Sequence, residues 1–113
     1  MNRPRAILIC DRDPLFREAL RNFLLAAGYS RVEIAATIRA ALTMLRCNAY
    51  GHVLIGGSRP FVRERRLAAV ARRRQPEAII LCLVSDDDRP AMPEAPFDFV
   101  IKEQAFSTLL ALM

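Results

Sequence analysis

The chain has 113 residues, 53% of them hydrophobic and 26% charged, which is the composition of one globular domain spanning 1–113 rather than of a disordered segment. Its longest strongly apolar run, Ala78 to Val84, is far too short to cross a bilayer, and the short apolar stretch before Asp11 does not make a secretory leader. The net charge of +5 rests almost wholly on arginine, densest between Arg59 and Arg74, and no aromatic residue interleaves Arg72, Arg73 and Arg74 to form a stacking platform for single-stranded nucleic acid.

Taken in chain order, Ala6 to Cys10 is a continuous apolar run, as expected of a strand covered on both faces. Asp13 reads as an N-cap and Pro14 as the first residue of a helix. Its stripe is Phe16, Ala19, Leu20, Phe23, Leu24 and Ala27, and Gly28 ends it. Val32 to Ala36 reads as a second strand. Thr37 caps a second helix with Ile38, Ala41, Leu42 and Leu45 on one face, and Asn48 closes it. His52 to Ile55 is a third strand, opening onto the loop from Gly56 to Pro60. Leu67, Val70 and Ala71 mark a third helix whose outer face carries arginines. Ile79 to Val84 is a fourth strand and Phe97 to Ile101 a fifth; Phe106, Leu109, Leu110 and Met113 belong to a last helix.

Strands and helices alternating in this way require right-handed crossovers and a parallel sheet with helices on both faces. The expected fold is α/β: a flavodoxin-like three-layer sandwich with five parallel strands in the order 2-1-3-4-5. Its functional residues gather at the carboxyl ends of strands one, three, four and five. Between strands four and five, Arg89 to Pro96 carries three prolines, so a helix there is expected to be short or absent. Cys10, Cys47 and Cys82 lie far apart without CxxC spacing and predict buried free thiols in a reducing, cytoplasmic setting. No dinucleotide fingerprint, P-loop or Ser-His-Asp arrangement appears, so nothing points to an enzyme.

At the strand ends the sequence resembles the CheY-like response-regulator receiver domains, particularly their NarL-like branch. The resemblance is carried by Ile7 to Leu20, with its Pro14-Leu15-Phe16-Arg17-Glu18, by Ala49 to Pro60, by Ile80 to Asp87 and by Phe99 to Lys102. It implies a domain of two-component (phosphorelay) signal transduction. Receivers of this family take a phosphoryl group on an aspartate at the end of strand three, with magnesium held by an acidic pair after strand one.

On that resemblance the acceptor position is Gly56, which has no side chain to phosphorylate. Of the acidic pair Asp11 remains, while the second position is Arg12, a cation that repels magnesium. The fourth-strand hydroxyl aligns with Leu83, which cannot donate a hydrogen bond. Lys102 matches the family's phosphate-contacting lysine and Phe99 its switch aromatic. The chain is therefore expected to be a degenerate pseudo-receiver lacking the phosphoacceptor aspartate, with no metal and no cofactor. Asp11 either pairs with Lys102 or Arg12 or is a leftover polar residue in a solvated pocket.

The expected role is phosphorylation-independent protein–protein interaction with a protein partner or a second copy, away from membranes. NarL-like proteins usually continue into a DNA-binding domain. The chain therefore reads either as the regulatory part of a transcription regulator, touching DNA only through that effector domain, or as a stand-alone module. Two alternatives stand beside it: a receiver phosphorylated on Asp11, Asp13 or Ser58, and a basic nucleic-acid-binding module using Arg63, Arg65, Arg66 and Arg72 to Arg74. Ser58 reads more simply as a turn residue, His52 as a strand residue facing solvent or a neighbour, and Asp86 to Asp88 as a capped loop or helix start.

Overall fold

The computed structural model describes residues 6–88 and 98–113. The elements are β1 (Ile7–Cys10), α1 (Pro14–Ala26), β2 (Val32–Ala35), α2 (Ile38–Cys47), β3 (His52–Gly56), α3 (Val62–Arg74), β4 (Ile79–Val84), β5 (Asp98–Ile101) and α4 (Ala105–Leu112). Short 3-10 turns form at Asp86–Asp88 and Lys102–Gln104. All strand pairs are parallel and the order is β2-β1-β3-β4-β5, the expected flavodoxin-like arrangement.

Alternation along the central strands builds two cores. Ile7, Ile9, Leu54, Leu81, Leu83 and Val100 face the layer that holds Leu20 and Leu24 of α1 and Leu109 of α4. Leu8, Cys10, Val53, Ile55, Ile80 and Val84 face Ala41 and Leu45 of α2 and Leu67 and Ala71 of α3. Because β1, β3 and β4 are buried on both faces, they read as unbroken apolar runs.

The caps act as their chemistry demands. Asp13 accepts from the Leu15 N–H and Thr37 from the Ala40 N–H, each satisfying an otherwise orphan donor at a helix start. Gly28 has φ +108°, a left-handed conformation that glycine reaches without a Cβ penalty. The apolar stripe of α1 is narrower than expected: Ala19 and Ala27 are exposed, because a methyl group at the flank or past the helix end does not reach the sheet.

Other departures are local. β2 stops at Ala35, and β3 runs one residue further, to Gly56. In α4, Phe106 and Leu110 remain partly exposed and Leu109 carries the burial. His52, expected to face solvent or a neighbour, does the latter: it is buried, edge-on to Tyr29 and with Nε2 3.4 Å from the Met113 carbonyl oxygen. The proline-rich stretch 89–96 and Phe97 lie outside the described residues.

Candidate functional site

The carboxyl ends of β1, β3 and β4 and the residue after β5 surround a pocket of about 520 Å³. Asp11, Arg12, Gly56, Ser58, Ser85 and Lys102 line it, together with the first turns of α2 and α3. Asp11 follows β1 directly and is only 4% exposed. Both of its carboxylate oxygens are engaged. Oδ1 accepts the Asp13 N–H at 2.9 Å, and Oδ2 lies 2.7 Å from the Lys102 ammonium. Lys102 arrives from the end of β5 and also stands 4.7 Å from the Phe16 ring centroid, so its charge lies between a carboxylate and an aromatic face. Arg17, one helical turn into α1, donates to the Asp11 carbonyl oxygen at 2.8 Å. Of the two expected readings of Asp11, the ion pair with Lys102 is the one present; its burial rules out a freely solvated remnant.

Gly56 is what makes room for this arrangement. A Cβ added there would fall 2.0 Å from Asp11 Oδ2 and 2.5 Å from its Cγ. The Asp11 carboxylate thus fills the volume in which a side chain at position 56 would begin. Gly57 repeats the device with a second acid: its Cβ would lie 2.6 Å from Glu64 Cγ, and Glu64 Oε2 accepts the Ser58 N–H at 3.1 Å. Two adjacent glycines therefore let two carboxylates press against the backbone of one loop.

The loop ends at Phe61, whose φ of 62° is left-handed, a costly conformation for a bulky residue. Its ring is fully buried, 5.3 Å from the Phe99 ring. The expected switch aromatic, Phe99, is half-buried and packs on the α2–α3 core. Arg12 is exposed at the pocket rim, so its charge is screened by water and weighs less on the site than the sequence suggests.

Leu83 does not belong to the pocket. It pairs with Gly56 in the sheet, but its side chain is fully buried in the α1–α4 core. The residue that lines the pocket at this edge is Ser85, the first after β4. Contrary to the expectation for Leu83, the pocket therefore keeps a hydroxyl at this edge, because β4 ends at Val84 and the next residue, Ser85, faces the cavity. Asp13 is occupied as a helix cap, and Ser58 is an exposed loop residue.

Sequence reasoning missed Phe16 and Arg17 as members of the site, although both lie in the segment that carries the resemblance. It also missed Glu64 and Phe61, for which the Gly56-Gly57 pair was the only available signal.

Among the thiols, Cys10 and Cys82 are buried while Cys47 is exposed, against the expectation for all three. Cys47 lies at the solvent side of the last turn of α2, where nothing covers it. Burial, reinforced by the neighbouring Asp11 carboxylate, pushes Cys10 up to about 12; burial, reinforced by Glu64, does the same for Cys82. At neutral pH a maleimide is expected to modify Cys47 alone in the folded protein, with Cys10 and Cys82 reacting only on unfolding, as read by intact mass.

The sequence matches no protein-family model, and no curated protein matches it. Solved structures do resemble it. The response regulator TrrA of Thermotoga maritima, in complex with Mg²⁺–BeF, is 24% identical with a TM-score of 0.79 over 96% of this chain and 95% of that one. The N-terminal domain of a response regulator/sensory box/GGDEF protein of Carboxydothermus hydrogenoformans is 21% identical, with a TM-score of 0.77 over 96% and 90%. A LuxR family DNA-binding response regulator of Silicibacter pomeroyi is 26% identical, with a TM-score of 0.71 over 95% and 85%. The fold is that of the CheY-like response-regulator receiver domains.

Proposed function

We propose that this chain is an atypical receiver domain of two-component signalling that works by protein–protein contact, without phosphorylation, without magnesium and not as an enzyme. One observation carries the reading: the Asp11 carboxylate fills the space of a side chain at position 56 and is paired there with Lys102. Glycine offers no oxygen to phosphorylate. The residues present do not fit a hard divalent cation, which takes about six oxygen ligands. Asp11 is held by an ammonium and an N–H, Asp13 caps α1, and the adjoining positions are Arg12 and Gly56. Among the described residues no three His, Cys, Asp or Glu side chains gather into a metal-binding group.

A two-state switch needs a ligand that binds its two states with different affinity. Here a built-in cation and a built-in carboxylate stand where such a ligand would act. That arrangement supports one constitutive state, recognised by a protein partner or a second copy. The 26% likeness to a DNA-binding response regulator favours the regulatory part of a transcription regulator over a stand-alone module.

Incubation with acetyl phosphate and magnesium, followed by intact mass, tests the reading. The expected result is an unchanged mass, together with an amide NMR spectrum that magnesium and beryllofluoride leave in place. A gain of one phosphoryl group that disappears in Asp11→Asn, Asp13→Asn or Ser58→Ala would overturn it.

A further inference from the structure

Helices α2 and α3 pack side by side on one face of the sheet. Together they carry eight of the chain's 17 basic residues and only one of its 12 acids. That acid, Glu64, is turned toward the Gly57–Ser58 loop, leaving the outer surface without a carboxylate of its own. Arg39 and Arg46 stand seven residues apart on α2, as do Arg66 and Arg73 on α3, and all four are exposed. Seven residues are close to two full turns, so each pair shares a face with about 10 Å between its members. Both helices follow parallel strands of one sheet and so run in the same direction, with axes about 8–10 Å apart. The four guanidinium groups therefore form two parallel rows.

Helix stability accounts for only part of this charge. Arg46 on α2 and Arg72, Arg73 and Arg74 on α3 lie in last turns and complement the helix dipoles, but Arg39 and Arg63 stand in first turns, where a cation opposes the dipole. No ion pair among the described residues engages Arg39, Arg46, Arg66 or Arg73.

The geometry points to a binding face for the phosphate backbone of a nucleic-acid duplex. A protein partner would need a cluster of desolvated apolar or aromatic anchors, yet besides arginine the two helices expose only Thr43, Cys47, Ala69 and, at the start of α3, Val62 as a single large apolar side chain. Single strands would need aromatic stacking, which this face does not offer. A duplex presents two strands of phosphates across grooves about 6 and 12 Å wide, a spacing that two arginine rows can straddle. Arginine also matches phosphate geometry through paired N–H donors. Contacts of this kind position a protein on the duplex without reading sequence. None of the four arginines lines the Asp11 pocket.

Fluorescence anisotropy with a short mixed-sequence DNA duplex tests the proposal across about 50 to 200 mM salt. Binding is expected to weaken with a log–log salt slope of about −3.6, or roughly 0.9 per neutralised phosphate. The variant R39Q/R46Q/R66Q/R73Q should keep its circular dichroism, lose on the order of tenfold or more in affinity at the low-salt end, and flatten the slope. R21Q/R31Q, which removes charge from other elements, should change little. No binding at low salt, an equal loss in R21Q/R31Q, or competition by polyglutamate as strong as that by the duplex would each overturn the duplex face.

Discussion

The two ends of the sheet handle an acidic residue in opposite ways. At the carboxyl end, Asp11 is taken almost wholly out of water, and its compensation comes from the single ammonium of Lys102 and one backbone N–H. At the amino end, Glu33 of β2 stays about a third exposed, paired with Arg31 at 3.1 Å and accepting the Tyr50 hydroxyl. Tyr50 is the buried member there, and it is neutral. Its N–H donates to Gln75 Oε1 at 3.1 Å, and Gln75 Nε2 donates in turn to the Asn48 carbonyl at 2.9 Å. The amino end is thus a set of small contacts that tolerate loss one at a time. The carboxyl end has one charge pair whose halves depend on each other, in a volume that exists because residue 56 has no side chain.

That interdependence predicts the largest effects. Lys102→Met leaves Asp11 buried without a counter-charge. Breaking a buried pair costs about 3–5 kcal/mol, and the lower end applies because Lys102 is 24% exposed. Urea unfolding should show this loss, while the double variant Asp11→Ala/Lys102→Met should return to within about 1 kcal/mol of the parent, since no stranded charge remains. If Lys102→Met alone costs less than about 0.5 kcal/mol, the pair behaves as a surface ion pair and the contrast between the two ends collapses. Next in size is Gly56→Ala. The new methyl collides with Asp11 Oδ2, a short side chain already anchored by Lys102, and overpacking of this kind costs about 1–3 kcal/mol. In an Asp11→Ala background most of that cost should vanish; persistence of the full cost would show that backbone strain, and not the carboxylate, excludes a side chain at position 56.

How much of this could be read beforehand follows from what sets each feature. The strands are legible because β1, β3 and β4 are buried on both faces and are apolar nearly throughout, His52 at the start of β3 excepted. Asp13, Thr37 and Gly28 are legible because caps are local chemistry. Asp11, Gly56 and Lys102 come together as expected, since the strand order alone brings those three ends to one place.

Other features depend on three-dimensional neighbours that spacing does not reveal. Leu83 and Ser85 differ by two positions, and only the point where β4 stops decides which of them meets the pocket. The insertion of Glu64 against Gly57 and the exposure of Cys47 likewise depend on how α3 and α2 are set down on the sheet.

The smallest effect is expected at the amino end and has a pH signature of its own. The hydrogen bond from Tyr50, ahead of the one from Arg31, holds Glu33 below its usual 4.5, whereas burial, followed by the same bond to Glu33, raises Tyr50 above its usual 10.0. The lowered acid contributes stability above about pH 4.5 that is lost as pH falls through its folded value. The raised phenol contributes stability below about pH 10 that is lost as pH rises through its own. Tyr50→Phe keeps the buried ring and removes the bond, so it should cost about 1 kcal/mol at neutral pH, near the net worth of one hydrogen bond with an exposed partner. The Glu33 carboxyl, followed by carbon NMR, should then titrate closer to 4.5, and the difference from the parent should shrink on acidification. A variant as stable as the parent at neutral pH, with Glu33 unmoved, would mean that Arg31 alone sets that carboxylate. The amino end would then rest on the Gln75 links to Tyr50 and Asn48, and the contrast with the Asp11 pair would sharpen.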